Sequence, residues 1–353
     1  MVNLDNFIKG RGAQFNTANK FIRQSTDFES VDGIDIWEDI NPKTELIAVQ
    51  SNSLVNKVTS PDVGMYYSAN PYQGCEHGCI YCYARNSFEY WGYSAGLDFE
   101  TKILYKENAP DLLRKFLMNK NWDPVPISFS GNTDCYQPVE RKLEITRKMI
   151  EVCAEFNQPI GIITKNAGVL RDIDLLSEMA KKRLVRVILS ITSLDENLRG
   201  KMEPRTSTGL QRLKALEKLA NAGISVGVMV APIIPGLNDN EMHNILKSVA
   251  DAGATTAGYT FVRLNGVIHD LFKDWLFKVF PERADKVWHL IESGHGGQVN
   301  DSRFGTRMKG EGPIAEMVKQ QFKKYTASFG LNQEIYSLDC TLFQRPGEQL
   351  SLF

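Results

Sequence analysis

Short apolar runs alternate with amphipathic stretches along residues 64–264, and this alternation predicts repeated strand-helix units. Six of the runs are rich in β-branched and other apolar residues and predict strands at 64–69, 125–130, 159–164, 184–191, 224–230 and 256–262. Between them, apolar residues recur at helical spacing, as at Ile145, Met149 and Val152, so each predicted helix has one face to bury. Strands joined by helical crossovers predict an α/β fold with a parallel sheet, either doubly wound or curled into a barrel. In both folds the chemistry lies at the carboxyl ends of the strands.

The pattern changes on both sides of this core. Residues 1–63 are polar, with Gly, Asn and Ser scattered among short apolar pieces, and we expect an irregular N-terminal extension that wraps the core. After residue 264 the strand-helix alternation stops, and residues 265–336 predict a C-terminal helical part. Residues 337–353 contain a Pro-Gly pair and predict a flexible tail.

Composition and charge narrow the class of protein. The chain has 353 residues, of which 42% are hydrophobic, enough for a large buried core. Its 41 Lys and Arg residues balance 42 Asp and Glu residues, which argues against bulk electrostatic binding to nucleic acid or to an acidic membrane. We see no secretory signal and no stretch of about 20 residues that is apolar enough to span a membrane. We therefore expect a cytoplasmic protein.

Three of the six cysteines, Cys75, Cys79 and Cys82, lie close together on a loop after the first predicted strand. In a reducing compartment, cysteines spaced so closely indicate a metal site rather than disulfides. A Cx3Cx2C loop can bind three irons of a 4Fe-4S cluster, and the missing fourth cysteine leaves one iron open for a ligand. The alternative is a zinc ion held by these cysteines together with His77.

The motif Cys75-x3-Cys79-x-Tyr81-Cys82, after the first strand of a β/α repeat, resembles the signature of the radical S-adenosylmethionine (radical SAM) superfamily. The resemblance implies a 4Fe-4S cluster held by the three cysteines, with S-adenosylmethionine chelated at the fourth iron. It also implies reductive cleavage of S-adenosylmethionine to methionine and a 5'-deoxyadenosyl radical, which abstracts hydrogen from a substrate. The fold it implies is a partial (β/α)6 barrel, in agreement with the six predicted strands.

Two segments, CEHGCIYCYAR at 75–85 and SGNTDCYQPVER at 130–141, are similar to the spore photoproduct lyase-like branch, also called DNA repair photolyase-like. This resemblance implies a lyase whose substrate is DNA or another nucleic acid, with a damaged base as one option. It also implies a low-potential electron donor such as flavodoxin or ferredoxin. The S-adenosylmethionine site that it implies contains Tyr81, Thr133, Asp134, Lys165 and Ser190.

Each residue of that site has a chemical role and a simpler alternative. Thr133 and Asp134 can accept hydrogen bonds from the methionine ammonium, or they can cap the following helix. Lys165 can pair with the methionine carboxylate or lie on the surface. Tyr81 can pack on adenine or within its own loop, and Ser190 can bind the carboxylate, the ribose or only the backbone.

Spore photoproduct lyases carry a hydrogen-donating cysteine just before a Thr/Ser-Asp pair, and this sequence departs from that pattern. The matching position is Gly131, whereas Cys135 lies on the other side of the pair. Cys135 is therefore a candidate catalytic residue, as a radical quencher or a substrate contact, without being equivalent to the family's cysteine.

Two further groups could lie at the mouth of the barrel. Glu203 and Arg205 follow the fourth predicted strand, where we favour an ordinary solvated ion pair. Tyr259, Phe261 and Arg263 alternate along the sixth predicted strand and share one side of it. They could stack a base there, but we favour packing in the core.

The last five residues, from Gln349 to Phe353, read QLSLF and resemble the peptide with which bacterial DNA-processing proteins bind the replication sliding clamp. A loose peptide with two large apolar anchors suits a hydrophobic pocket on a partner. The alternative is that Leu352 and Phe353 pack against their own core. A rival function for the whole chain is a non-catalytic nucleic-acid or clamp adaptor whose metal is structural.

Overall fold

The computed structural model describes residues 8–21, 43–334 and 336–347, so the QLSLF segment lies outside the described residues. The strands in these ranges are β1 (Glu45–Val49), β2 (Val55–Lys57), β3 (Tyr67–Ala69), β4 (Tyr72–Gln73), β5 (Lys102–Lys106), β6 (Ile127–Phe129), β7 (Ile160–Thr164), β8 (Val185–Ser190), β9 (Ser225–Ile233) and β10 (Thr256–Phe261). The α-helices in the same ranges are α1 (Arg85–Phe88), α2 (Leu97–Thr101), α3 (Ala109–Leu117), α4 (Glu140–Leu143), α5 (Ile145–Glu155), α6 (Ile173–Lys181), α7 (Glu196–Met202), α8 (Gly209–Asn221), α9 (Met242–Asp251), α10 (Ile268–Val279), α11 (Ala284–Ser293) and α12 (Gly312–Ser328). Short 3-10 helices lie at Glu89–Trp91, Ala167–Asp172, Asp239–Glu241 and Pro281–Arg283.

Six strands form the parallel sheet that the sequence predicts. The main sheet has the order β10-β9-β8-β7-β6-β3-β2, and every neighbouring pair from β3 to β10 is parallel. Its register places Ile162 of β7 beside Phe129 of β6 on one side and Val187 of β8 on the other. Because these strands are neighbours in chain order and helices lie in the connections, this is the expected partial (β/α)6 arrangement. The predicted fold class is confirmed.

Apolar residues explain why this sheet forms the centre of the molecule. In β7 and β8, Ile160, Ile162, Val185 and Val187 are fully buried, and β-branched residues suit a pleated, covered surface. Helices α6, α8 and α9 contact β8 and β9 with their apolar faces. The carboxyl ends of the parallel strands therefore remain as the edge at which polar side chains can gather.

A second, three-stranded sheet has the order β1-β5-β4, and β4 ends two residues before the first motif cysteine. In it β1 is parallel to β5 and β4 is antiparallel to β5, while β2 pairs antiparallel with β3 at the edge of the main sheet. Two strands thus lie in residues 43–63, where the sequence predicts irregular structure. Both are short and mostly exposed, so they carry little hydrophobic periodicity for a sequence pattern to reveal.

Helices α10, α11 and α12 lie in the segment where the sequence predicts helices, and α12 contacts β10 and α9. The Tyr259 ring packs 4.6 Å from that of Phe322 in α12, and the Phe261 ring 5.3 Å from that of His295, measured between centroids. These two rings pack against the C-terminal part, in agreement with the favoured core packing. No helix in the described residues has both the length and the apolar composition needed to cross a membrane.

Candidate functional site

The three motif cysteines lie on the cysteine loop, residues 74–82, which begins directly after β4. Two of the cysteines are buried and the third is half-buried. Backbone hydrogen bonds hold the loop at two points: the Cys75 amide donates to the Phe99 carbonyl at 2.8 Å, and the Ile80 amide donates to the Met202 carbonyl at 3.1 Å. The structure therefore gathers the cysteines within one hydrogen-bonded loop.

Burial makes these thiols weak acids. It raises the pKa of Cys75, Cys79 and Cys82 above the ordinary value, and the charge of Asp134 raises that of Cys75 further. The thiols also lie near enough to one another for each thiolate to disfavour the next. Thiols in this environment suit a positively charged metal centre, because metal binding deprotonates the thiols that coordinate it. The donor set fits a 4Fe-4S cluster held at three irons.

His77 is already engaged, which argues against the zinc alternative. The Asn166 amide oxygen accepts from the Gly168 amide at 2.8 Å, so its nitrogen donates to Nε2 of His77 at 3.3 Å. The other ring nitrogen, Nδ1, lies 3.4 Å from a carboxylate oxygen of Asp134. Within the ranges that the structure describes, no three His, Cys, Asp or Glu side chains converge as a single ion requires. Both ring nitrogens of His77 thus have partners within the protein, which argues against His77 as the fourth ligand of a zinc ion.

Thr133 and Asp134 follow β6 at the carboxyl edge of the main sheet. The Thr133 hydroxyl donates to the Tyr72 carbonyl at 2.7 Å, which ties this turn to β4. Asp134 accepts from the Thr164 hydroxyl at 2.7 Å and from the Lys165 amide at 2.8 Å. Burial alone would raise the pKa of Asp134, but the adjacent imidazole and these donors lower it to about 2. Both side chains connect strand ends, and their binding of a methionine ammonium stays a prediction.

Lys165 and Tyr81 lie close together beside the cysteine loop. The Lys165 ammonium is 5.8 Å from the centroid of the Tyr81 ring. Burial acts to lower the pKa of Lys165, but the charges of Cys79 and Glu203 outweigh it and leave the pKa above its ordinary value. Ser190 is the buried last residue of the next strand, β8. The structure thus provides a protonated ammonium with which an anionic ligand group could pair.

Glu203 is a buried centre of hydrogen bonding. Its carboxylate lies 2.5 Å from the Arg212 guanidinium, and neither side chain is exposed. The hydroxyl groups of Tyr81 and Thr192 donate to the same carboxylate. Burial would raise the pKa of Glu203, but the charges of Arg212 and Lys165 and these hydroxyl donors lower it to about 2. This carboxylate is therefore an anion next to the cysteine loop.

The favoured interpretation of Glu203 and Arg205 as a solvated ion pair is wrong. Arg205 instead lies 3.4 Å from Glu76, and Glu203 pairs with Arg212. The burial of Arg212 could have been predicted from the sequence, because Arg212 precedes Leu216 by four residues and so lies on the apolar face of α8. A charged residue within an apolar helix face indicates a buried partner, since an unpaired charge there is too costly.

Cys135 lies in the turn after β6 and is fully buried. Its amide donates to the Ser130 hydroxyl at 2.8 Å, and its carbonyl accepts from the Thr146 hydroxyl at 2.7 Å. Burial raises the pKa of its thiol well above the ordinary value. A radical quencher must reach its substrate, so this burial argues against that role, which stays a prediction.

Comparison with protein families gives a match between residues 69–249, from the end of β3 to α9, and the model of the radical SAM superfamily. The chain is 32% identical over 249 residues to an uncharacterised protein of Mycobacterium tuberculosis, a match that covers 70% of this chain and 73% of that protein. It is 30% identical over 249 residues to an uncharacterised protein of Methanocaldococcus jannaschii, and this match covers 70% of this chain and 88% of that protein.

Comparison with solved structures finds a similar fold. A spore photoproduct lyase complexed with dinucleoside spore photoproduct superposes with a TM-score of 0.61 at 18% sequence identity. The match covers 86% of this chain and 86% of the lyase. At this identity the likeness concerns the fold, and it agrees with the partial barrel formed by β3 and β6–β10.

Proposed function

Because the chain belongs to the radical SAM superfamily, we propose that it is an enzyme that cleaves S-adenosylmethionine at a 4Fe-4S cluster held by Cys75, Cys79 and Cys82. The observation that carries the proposal is the set of buried thiols on one hydrogen-bonded loop, beside a protonated lysine. Held by these cysteines, the cluster would supply the one-electron reduction that cleaves the sulfonium to methionine and a 5'-deoxyadenosyl radical.

The protein's own residues bind and orient S-adenosylmethionine in this proposal. The Lys165 ammonium pairs with the methionine carboxylate, and the nearby Glu203 charge keeps the lysine protonated. Thr133 and Asp134 accept from the methionine ammonium; the Thr133 hydroxyl keeps its acceptor lone pairs after donating to a carbonyl. Ser190, at the end of β8, binds the carboxylate or the ribose.

Tyr81 orients the adenine in the same proposal. Its hydroxyl is fixed by hydrogen bonds with Glu203 and Thr192, which restricts rotation of the ring. The Tyr81 ring is then held in one orientation, as a surface on which an adenine ring can pack.

The proposed substrate is a nucleic acid, with a damaged base as one option. Its support is the fold shared with spore photoproduct lyase, which has been solved with a dinucleoside photoproduct bound. Gly131 stands where that branch carries its cysteine, so we propose a lyase-like DNA repair reaction that differs in its hydrogen donor. A Cys135→Ser variant tests whether Cys135 is that hydrogen donor. If the variant forms 5'-deoxyadenosine but no longer completes turnover, Cys135 is supported as the donor; unchanged turnover would exclude it.

Two protein partners complete the proposal. A low-potential flavodoxin or ferredoxin supplies the electron, and the residues from Gln349 to Phe353 bind a replication sliding clamp. Removal of these five residues should abolish binding to immobilised clamp without changing cleavage of S-adenosylmethionine. Unchanged clamp binding would eliminate this partner.

The central experiment is anaerobic reconstitution with iron and sulfide, followed by reduction in the presence of S-adenosylmethionine. We expect a brown protein that produces 5'-deoxyadenosine, and loss of both properties when Cys75, Cys79 or Cys82 is changed to Ala. Cys153→Ala is the matched control, since Cys153 is buried on the apolar face of α5. Bound zinc without 5'-deoxyadenosine would favour the adaptor function instead.

The ligand site is tested at Lys165. The Lys165→Met variant keeps the side-chain length and removes the charge, so S-adenosylmethionine should bind about 10- to 100-fold more weakly, the range of a lost charged hydrogen bond. Lys182→Met is the control, because the Lys182 ammonium donates to Asn157 near the amino ends of β7 and β8, away from the carboxyl ends. Equal affinities in the two variants would contradict the proposed role of Lys165.

A further inference from the structure

An N-terminal segment lies against the cysteine loop although the two are more than 50 residues apart in sequence. We call residues 8–21 the N-terminal strap. Two consecutive strap amides, those of Gly12 and Ala13, donate to the two carboxylate oxygens of Glu100 at 3.0 and 2.7 Å. The Arg11 guanidinium donates to the Glu100 carbonyl at 2.8 Å. The strap is therefore bound to α2 through main-chain and side-chain groups of one residue.

The same carboxylate connects the strap to the cysteine loop. Glu100 also accepts from the Arg85 guanidinium at 2.5 Å, and both side chains are fully buried. Arg85 donates from two of its nitrogens to the Cys79 carbonyl at 3.1 and 3.0 Å, and from the third to the carbonyls of Ala95 and Gly96. One buried hydrogen-bonded path thus runs from the strap through Glu100 and Arg85 to the backbone of a motif cysteine.

The strap also contacts the cysteine loop directly. A Cβ atom placed on Gly12 would lie 1.9 Å from the Gly78 carbonyl oxygen, so the two backbones meet there without room for a side chain. Gly78 has a positive φ, and a Cβ atom on it would lie 2.7 Å from the Glu100 carboxylate. Gly78 precedes Cys79, so the strap covers the part of the loop between the first two motif cysteines.

We infer that the N-terminal strap is a wall of the cluster site, with Glu100 and Arg85 as positioning residues that hold the Cys79 backbone. This inference rests on the proposed function, since it assigns the strap a role towards the cluster. Partners behind the metal ligands control how tightly a metal centre is held, and solvent exposure and hydrogen bonding set the reduction potential of an iron-sulfur cluster. The strap supplies the cover, and the path through Glu100 supplies the hydrogen bonding.

The test is Gly12→Ala in the full-length protein, because its added methyl must push the strap away from the Gly78 carbonyl. We expect about 10-fold faster iron loss to a chelator under anaerobic conditions. We also expect a changed reduction potential and a changed electron paramagnetic resonance spectrum of the reduced cluster. Gly200→Ala is the matched control, since a Cβ atom there meets nothing within 4 Å.

Thermal unfolding of the metal-free proteins separates this role from a general loss of folding. We expect cooperative unfolding of Gly12→Ala with a midpoint near that of wild type, because Gly12 lies outside the strands and helices that form the core. Two results would overturn the inference. One is iron loss at the same rate in Gly12→Ala and Gly200→Ala. The other is faster iron loss from Gly12→Ala together with a lower unfolding midpoint of its metal-free form, because the iron would then be lost through general destabilisation. Wild-type protein that holds no iron after reconstitution would instead overturn the proposed function.

Discussion

Two buried arginine-glutamate pairs flank the cysteine loop, and they have almost the same geometry. In the scaffold pair, Arg85 and Glu100 are 2.5 Å apart; in the mouth pair, Arg212 and Glu203 are also 2.5 Å apart. None of the four side chains is exposed. Distance and burial therefore do not distinguish the two pairs, and the difference lies in the groups that each pair binds.

The arginines of both pairs donate to backbone carbonyls, but the Glu100 carboxylate accepts from backbone amides, whereas the Glu203 carboxylate accepts from side-chain hydroxyls. The scaffold pair accepts from the Gly12 amide and donates to the Cys79 carbonyl, so it determines the path of the main chain. The mouth pair accepts from the hydroxyls of Tyr81 and Thr192 and lies near Lys165, so it sets the charge beside the cysteine loop. We infer that one pair serves mainly the fold and the other mainly the chemistry.

The largest expected effect follows from breaking the scaffold pair. Arg85→Met leaves the Glu100 carboxylate buried without its cation and removes the hydrogen bonds to Cys79, so the free energy of unfolding should fall by about 3–5 kcal/mol. Urea unfolding of the metal-free protein measures this change.

Arg114→Met is the matched control, because Arg114 and Glu155 are also 2.5 Å apart but 44% and 41% exposed. Solvent screens such a pair, and its loss should cost only about 0–1 kcal/mol. If the two methionine variants were destabilised equally, burial would not be what makes the scaffold pair important.

The mouth pair should make stability depend on pH. The pKa of Glu203 is about 2 in the folded protein against an ordinary 4.5, so the folded state favours the anion. Its contribution is present above pH 4.5 and is lost as the pH falls from about 4.5 towards 2. Within that window the wild type should lose up to about 1.4 kcal/mol per pH unit relative to Glu203→Gln, which cannot titrate there.

Acid titration of both metal-free proteins, with urea unfolding at each pH, measures this difference. Other carboxylates titrate in both proteins, so only the gap between the two curves reports on Glu203. A gap that stays constant from pH 6 to pH 3 would show that the mouth pair does not depress this pKa.

The smallest expected effect on stability follows from removing the Tyr81 hydroxyl, which donates to the mouth pair. Tyr81→Phe removes a hydrogen bond to the buried Glu203 carboxylate and should lower the free energy of unfolding by about 1.5 kcal/mol, the lower end for a bond to a charged group. Tyr83→Phe is the control: its hydroxyl donates to the Gly131 carbonyl, but its side chain is 56% exposed, so its loss should cost less than about 0.5 kcal/mol. Equal losses would mean that Tyr81 is not bound more strongly than a surface tyrosine.

The sequence was most informative where a pattern is local. The six strands of the parallel sheet follow from short apolar runs, and the cysteine loop follows from the spacing of three residues over eight positions. It was least informative in residues 43–63, where β1 and β2 are short and exposed. A strand of this kind forms because a neighbouring strand offers it hydrogen bonds, and the hydrophobic periodicity of the sequence does not reveal such pairing.

The sequence also predicted some side-chain positions correctly and some side-chain partners wrongly. Lys165 lies at a strand end, as its position after an apolar run predicts, whereas Glu203 was paired with the wrong arginine. Adjacent charges in a sequence suggest an exposed pair, but the partner that the buried Glu203 carboxylate requires, Arg212, lies on the next helix, α8. The spacing of Arg212 on α8 was the available signal.

By itself, the sequence determined the β/α repeat, the family and the grouping of three cysteines on one loop, because periodicity and cysteine spacing act over a few positions. Only the tertiary structure decided that Gly12 meets Gly78, that Glu100 joins the strap to Arg85, and that His77 is engaged with Asn166. These contacts join residues that are far apart in the chain. They depend on which buried polar groups find partners once the chain is compact, and a linear pattern does not contain that information.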